Sequence, residues 1–210
     1  VYNWLGVDER KFNDEYTDAD KKGTMISDAA FLAHLTADLD TRLSTTEPLF
    51  AYTVTIQNHQ AYPYTKYGFA PEKPPLSVPI SDASMETLSV YLEGVRDSTA
   101  MLTQLCAYFD SREEPVLLVF FGDHKPTFGT GNCYYAELGV NVDENSPEGC
   151  RNLYSTPYLI WANAAAKQVL GFDFTGEGRT ISPCFLMAEL FDCCGWDGPA
   201  WTQCQRQLRQ

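Results

Sequence analysis

Three residues carry the chemistry that can be read from this sequence. Asp123 and His124 stand side by side after the apolar run Val116-Leu117-Leu118-Val119-Phe120-Phe121-Gly122, and His59 follows the run 49–56 at the polar tip Gln57-Asn58. A carboxylate and an imidazole are a hard oxygen and a borderline nitrogen, a pair that suits zinc, manganese or a similar divalent ion. Two adjacent ligands do not complete a metal site, and the plain structural alternative is an Asp that caps the next turn beside a His that packs. For His59 that alternative is a ring bonded to its own loop.

The elements that must position these side chains follow from hydrophobic patterning. The 116–121 run has no polar alternation and is rich in β-branched and aromatic residues, which predicts a strand buried on both faces of a parallel sheet. Gly122 would let the backbone turn at its carboxyl end, where α/β sheets bind ligands, and aim Asp123 and His124 into a crevice. The stretch 49–56 reads as a second buried strand. A long helix from Asp82 through Phe109 joins the two, and a strand, helix, strand order implies a right-handed crossover with His59 on the same sheet edge as Asp123 and His124. Ser27 and Asp28 open an earlier helix with Phe31, Leu32, Leu35, Leu39 and Leu43 on one side. His34 lies on that helix without neighbours that could share a metal. Pro157 to Ala162 is a third strand closed by Asn163, and Ser182-Pro183 starts a late helix that Gly195 stops. The segments 1–24, 60–81 and the stretch after Pro126 read as loops, the last two at the active edge. The expected fold is α/β, a mostly parallel sheet flanked by helices. The divisions are an irregular lead-in over 1–26, an α/β core over 27–195 and a tail over 196–210.

Composition narrows the function. The chain has 210 residues and a formal net charge of −13. That charge argues against a general nucleic-acid binder, while a phosphate substrate can still be held locally by a metal ion. No run of about eighteen apolar residues is present, so no spanning helix is visible, and no signal peptide is visible either. The seven cysteines contain no CxxC pair, which argues against a zinc ribbon. Cys133 and Cys150 flank a polar loop and could close it as a disulfide or remain thiols.

Several motifs in order resemble the lipoteichoic acid synthase and phosphoglycerol transferase group of the sulfatase and alkaline phosphatase superfamily. They are Leu5-Gly6 with Phe12, Ser27-Asp28, Asn58-His59, Phe120-Phe121-Gly122-Asp123-His124-Lys125-Pro126, Ser155 to Asn163, and Ile181-Ser182-Pro183 before a helix ending in Gly195. The resemblance implies an alkaline phosphatase-like fold and a divalent metal, manganese or magnesium with zinc as an option. It makes Asp123 and His124 metal ligands and His59 a contact to the substrate phosphate. It also implies a lipid-linked glycerol phosphate or related phosphodiester as substrate and a place on the extracytoplasmic face of a bacterial membrane, held by upstream helices; the acidic charge already argues for no nucleic-acid partner.

The motifs that carry the group's threonine nucleophile, its acidic metal ligand and its substrate-binding arginine do not occur in the 210 residues. The resemblance therefore implies the C-terminal half of a catalytic domain, inactive alone. Thr53, Thr55, Thr127 and Thr156 are not nucleophile candidates merely by being available. A sulfatase, a phosphoethanolamine transferase or a non-catalytic envelope domain of the same fold are the alternatives.

Overall fold

The computed structural model describes residues 2–43, 45 and 47–209. In chain order its elements are β1 (Lys21–Lys22), β2 (Met25–Ile26), α1 (Asp28–Arg42), α2 (Asp82–Asp110), β3 (Leu117–Phe121), α3 (Cys133–Glu137), α4 (Pro147–Tyr154), β4 (Tyr158–Ala162), α5 (Ala164–Leu170), α6 (Leu186–Cys193) and α7 (Ala200–Leu208). Short 3-10 turns precede β1, α3 and α6. The chain forms two compact units, one of Val1–Leu105 with Pro126–Leu153 and one of Cys106–Lys125 with Tyr154–Gln210.

In the first unit α1 starts where its cap predicts: the Ser27 side chain accepts from the Ala30 N–H at 3.1 Å, and Leu32 and Leu39 are buried along one side. Gly23 turns the β1–β2 hairpin with a φ of +67°, and a side chain there would run into the Lys66 backbone. The core is aromatic. Tyr62, Tyr67, Val90, Phe128 and Tyr135 are buried together, with Tyr91 edge-on to Phe128 at 5.1 Å and Phe128 stacked on Tyr135 at 5.1 Å. The segment after His59 is thus not a loose cover. Tyr62 and Tyr67 bind it to the face of α2 that carries Val90 and Tyr91. Two further elements depart from a pure loop, since α3 and α4 form between Pro126 and Pro157.

In the second unit β3 and β4 pair antiparallel, with Leu117 opposite Ala162 and Phe121 opposite Tyr158. A mostly parallel sheet is not what the described residues form. The 49–56 run belongs to no sheet: it is extended, makes no ladder, and leaves Phe50 and Tyr52 at 83% and 69% exposure. Among the described residues the βαβ crossover, expected to put His59 on one sheet edge with Asp123 and His124, is therefore not formed. β3 is half-buried, and Phe121 is exposed. A two-stranded ribbon has too few neighbours to cover both faces. Asn163, fully buried, caps α5 by accepting from the Ala166 N–H at 3.0 Å, and Gly171 ends that helix in the left-handed region. Pro183 opens the turn into α6, and Gly195 follows its end with a φ of +67°. The seven cysteines are all thiols, so Cys133 and Cys150 do not form a disulfide. Among the described residues no helix is long and apolar enough to cross a membrane.

Candidate functional site

The β3 strand ends at Gly122, whose N–H donates to Pro157 O at 3.1 Å. The Thr156 hydroxyl donates to Gly122 O at 2.7 Å, and a Cβ on Gly122 would come within 3.2 Å of Thr156 Cβ. Thr156 therefore clamps the strand end. Just beyond, Asp123 Oδ1 accepts from the His124 N–H at 2.8 Å, the capping role that its alternative reading gives it. Its second oxygen is left over. Asp123 Oδ2 lies 3.6 Å from His124 Nε2.

His124 is fixed at its other nitrogen, where Nδ1 lies 2.9 Å from Lys125 O. A carbonyl can only accept, so Nδ1 carries a proton, and in the neutral form of the ring the lone pair is at Nε2. Metal-binding histidines commonly have this arrangement, with the non-ligating N–H on a backbone carbonyl. The pair fits a divalent ion geometrically: two bonds of about 2.1 Å reaching atoms 3.6 Å apart subtend roughly 120°. The Asp123 and His124 side chains are 80% and 55% exposed, so they stand on the surface and not in a crevice. Among the described residues no third His, Cys, Asp or Glu joins them.

His59 lies in the other unit, on the loop that follows the unpaired 49–56 segment. Its ring does bond its own loop: Nδ1 donates to Gln60 O at 2.6 Å. His59 is exposed, and in its neutral form the lone pair is at Nε2, again the tautomer that takes a proton there or, once protonated, donates to an anion. Two neighbours hold the loop. The Tyr62 hydroxyl donates to Asn58 O at 2.9 Å, and Gln60 Oε1 accepts from the Thr127 N–H at 2.8 Å. The structure brings Asp123 and His124 together and gives both histidines the same tautomer.

Sequence reasoning missed Gln60 and Lys66. The Lys66 ammonium donates to His59 O and lies over the Tyr62 ring at 4.8 Å. A signal existed in Tyr62-Pro63-Tyr64-Thr65-Lys66-Tyr67, where a lone cation sits among aromatic residues. Beneath the loop, Gln57 is buried and bridges two elements: Oε1 accepts from the Asp28 N–H at 2.8 Å, and Nε2 donates to Asp97 at 2.5 Å. Lys22 pairs with Asp97 at 2.5 Å and Glu93 at 2.8 Å, which partly balances the carboxylates. His34, on α1, packs tilted against Tyr16 with ring centroids 4.4 Å apart, and its Nε2 lies 3.6 Å from Asp20 Oδ1; among the described residues no third His, Cys, Asp or Glu joins that pair either.

Comparison with known proteins adds family context. The Sulfatase family model matches residues 5–196. A protein of Rhizobium meliloti (strain 1021), named a putative cyclic beta-1,2-glucan modification protein, is 25% identical over 206 residues. That match covers 96% of this chain and 30% of the relative, so the chain spans less than a third of the relative's length. No solved structure matches significantly.

Proposed function

The chain belongs to the sulfatase family, in the sulfatase and alkaline phosphatase superfamily of metal-using hydrolases and transferases, and from that premise we propose that it is part of a phosphoglycerol transferase. The reaction would move glycerol phosphate from a lipid-linked phosphodiester to an acceptor in the cell envelope, outside the cytoplasm. The observation that carries this reading is the pair Asp123 Oδ2 and His124 Nε2, 3.6 Å apart with His124 Nδ1 tied to Lys125 O.

Asp123 and His124 would hold manganese or magnesium, with zinc as an option. The ion would supply charge stabilisation for phosphoryl oxygens and a lowered pKa for a bound hydroxyl. His59 contributes Nε2, which as imidazolium donates to a phosphate oxygen and as neutral imidazole takes a proton from an acceptor hydroxyl. Thr156 has its hydroxyl on Gly122 O and is not a free nucleophile. The remaining ligands and the nucleophile would come from the rest of the parent protein. The name of the Rhizobium relative, a cyclic beta-1,2-glucan modification protein, is compatible with a carbohydrate acceptor.

The test uses the full-length parent with phosphatidylglycerol vesicles in one arm and an aryl sulfate ester in the other, each with added manganese. Metal-dependent glycerol phosphate transfer that drops at least about a hundredfold in Asp123→Ala and in His124→Ala is expected. Turnover of the sulfate ester alone, or full rates in both variants, would refute it.

A further inference from the structure

Lys66 is 5% exposed, and among the described residues no carboxylate pairs with it. Burial alone pushes its ammonium below the usual lysine range. The head group donates to His59 O and lies over two rings, Tyr62 at 4.8 Å and Tyr67 at 5.5 Å. Tyr67 stays a neutral π face, because burial drives its phenol up to about 12. The hairpin turn at Gly23 packs on the Lys66 backbone and holds the residue in place.

This arrangement is expensive for a purely structural role. A buried ion without a counter-ion is disfavoured, whereas a methionine of similar length would fill the space between Tyr62 and Tyr67 without desolvating a charge. The carbonyl it serves belongs to an exposed residue and could be bonded by water. The contrast with Lys22 is direct. Lys22 also lies over Tyr67, at 5.0 Å, yet it is neutralised by Glu93 and Asp97. Lys66 instead keeps an unbalanced positive charge directly beneath the His59 backbone.

We propose that Lys66 is the positioning residue of His59. Its ammonium fixes the His59 carbonyl, so that the ring keeps Nδ1–H on Gln60 O and presents Nε2 outward, and its unneutralised charge favours an anionic group at that nitrogen. Only the second clause rests on the reading that His59 meets a phosphate.

The chain has three histidines, so their imidazole nitrogens can be followed individually by NMR after [15N]histidine labelling. Spectra of the 210-residue chain, of Lys66→Met and of Lys66→Gln are recorded alone and during titration with inorganic phosphate. Wild type is expected to show His59 as the single Nδ1–H tautomer. In Lys66→Met that pattern should collapse to a tautomer average while His34 and His124 stay unchanged. An unaltered His59 pattern there would overturn the proposal. Lys66→Gln retains a donor but no charge. It should keep the tautomer and need about tenfold more phosphate to shift His59 than wild type does. Unchanged phosphate affinity in Lys66→Gln would overturn the charge role even if Lys66→Met does not fold. If wild-type His59 ignores phosphate, the anion reading of His59 fails, and the tautomer comparison still decides the positioning role.

Discussion

Asn58 leans on Gly94: a Cβ built at Gly94 would fall 2.1 Å from Asn58 Oδ1 and 2.4 Å from its Cγ. The Tyr67 hydroxyl oxygen would be 2.8 Å away. The glycine of α2 is thus the floor on which the residue before His59 rests. It links a helix position to the placement of a candidate site residue.

Gly94→Ala should therefore reverse the usual sign. Alanine in a helix interior normally gains about 1 kcal/mol over glycine. Here the methyl group displaces Asn58 and the Tyr67 hydroxyl, and a net loss of roughly 1–3 kcal/mol is expected from overpacking. Urea unfolding measures it, and a gain in stability would refute the contact.

Asn163 should be among the most sensitive positions of the second unit. Its Oδ1 accepts from Val116 N–H and Ala166 N–H, each at 3.0 Å. Its Nδ2 donates to Phe109 O at 3.1 Å and Glu114 O at 2.8 Å. One side chain thereby joins the end of α2, the entry to β3 and the start of α5 with every polar site used. Asn163→Ala is expected to cost roughly 3–5 kcal/mol, because several buried backbone groups lose partners together. Asn163→Asp should also destabilise, since a carboxylate cannot donate to two carbonyls. Loss of less than about 1 kcal/mol in thermal or urea unfolding of both variants would contradict this account.

Asp28 gives a pH dependence with a definite sign. It is 1% exposed, and burial raises its carboxyl above 3.8, with Asp97 adding repulsion and the Ser98 hydroxyl, donating at 2.7 Å, opposing the rise. Between 3.8 and the higher folded value, the folded chain holds more protons at this group than the unfolded chain does. The contribution of Asp28 to stability therefore falls as pH rises through that window and stays unfavourable above it. Asp28→Asn keeps an acceptor for Ser98 and removes the charge. The stability of the variant relative to wild type should grow across the window and level off above it. Paired urea titrations at a series of pH values check this, and a pH-independent difference would sink it.

The sequence by itself determined the features whose causes are local. The Ser27 cap starts α1, the apolar periodicity from Asp82 runs α2 to Asp110, and the β3 run ends at Gly122-Asp123-His124. Each is set within a few residues by capping, side-chain period or backbone freedom, so it can be read without knowing the neighbours. The Asp123-His124 pair was legible for the same reason. Adjacent residues need little tertiary information to bring a carboxylate oxygen and an imidazole nitrogen within 3.6 Å.

Only the tertiary structure decided what depends on distant residues. The sign of the β3–β4 pairing is not encoded in either strand, because a connection that contains helices permits both directions. The 49–56 run has strand composition, yet without a partner for its backbone it makes no sheet. Asn163 reads as a strand stop, while its four hydrogen bonds come from three elements. Lys66 looks like an ordinary surface lysine until Tyr62 and Tyr67 close around it and its head group meets the His59 carbonyl. The neighbouring tyrosines hint at such a contact, but desolvation is a property of everything packed around a charge, and the sequence around Lys66 does not settle it.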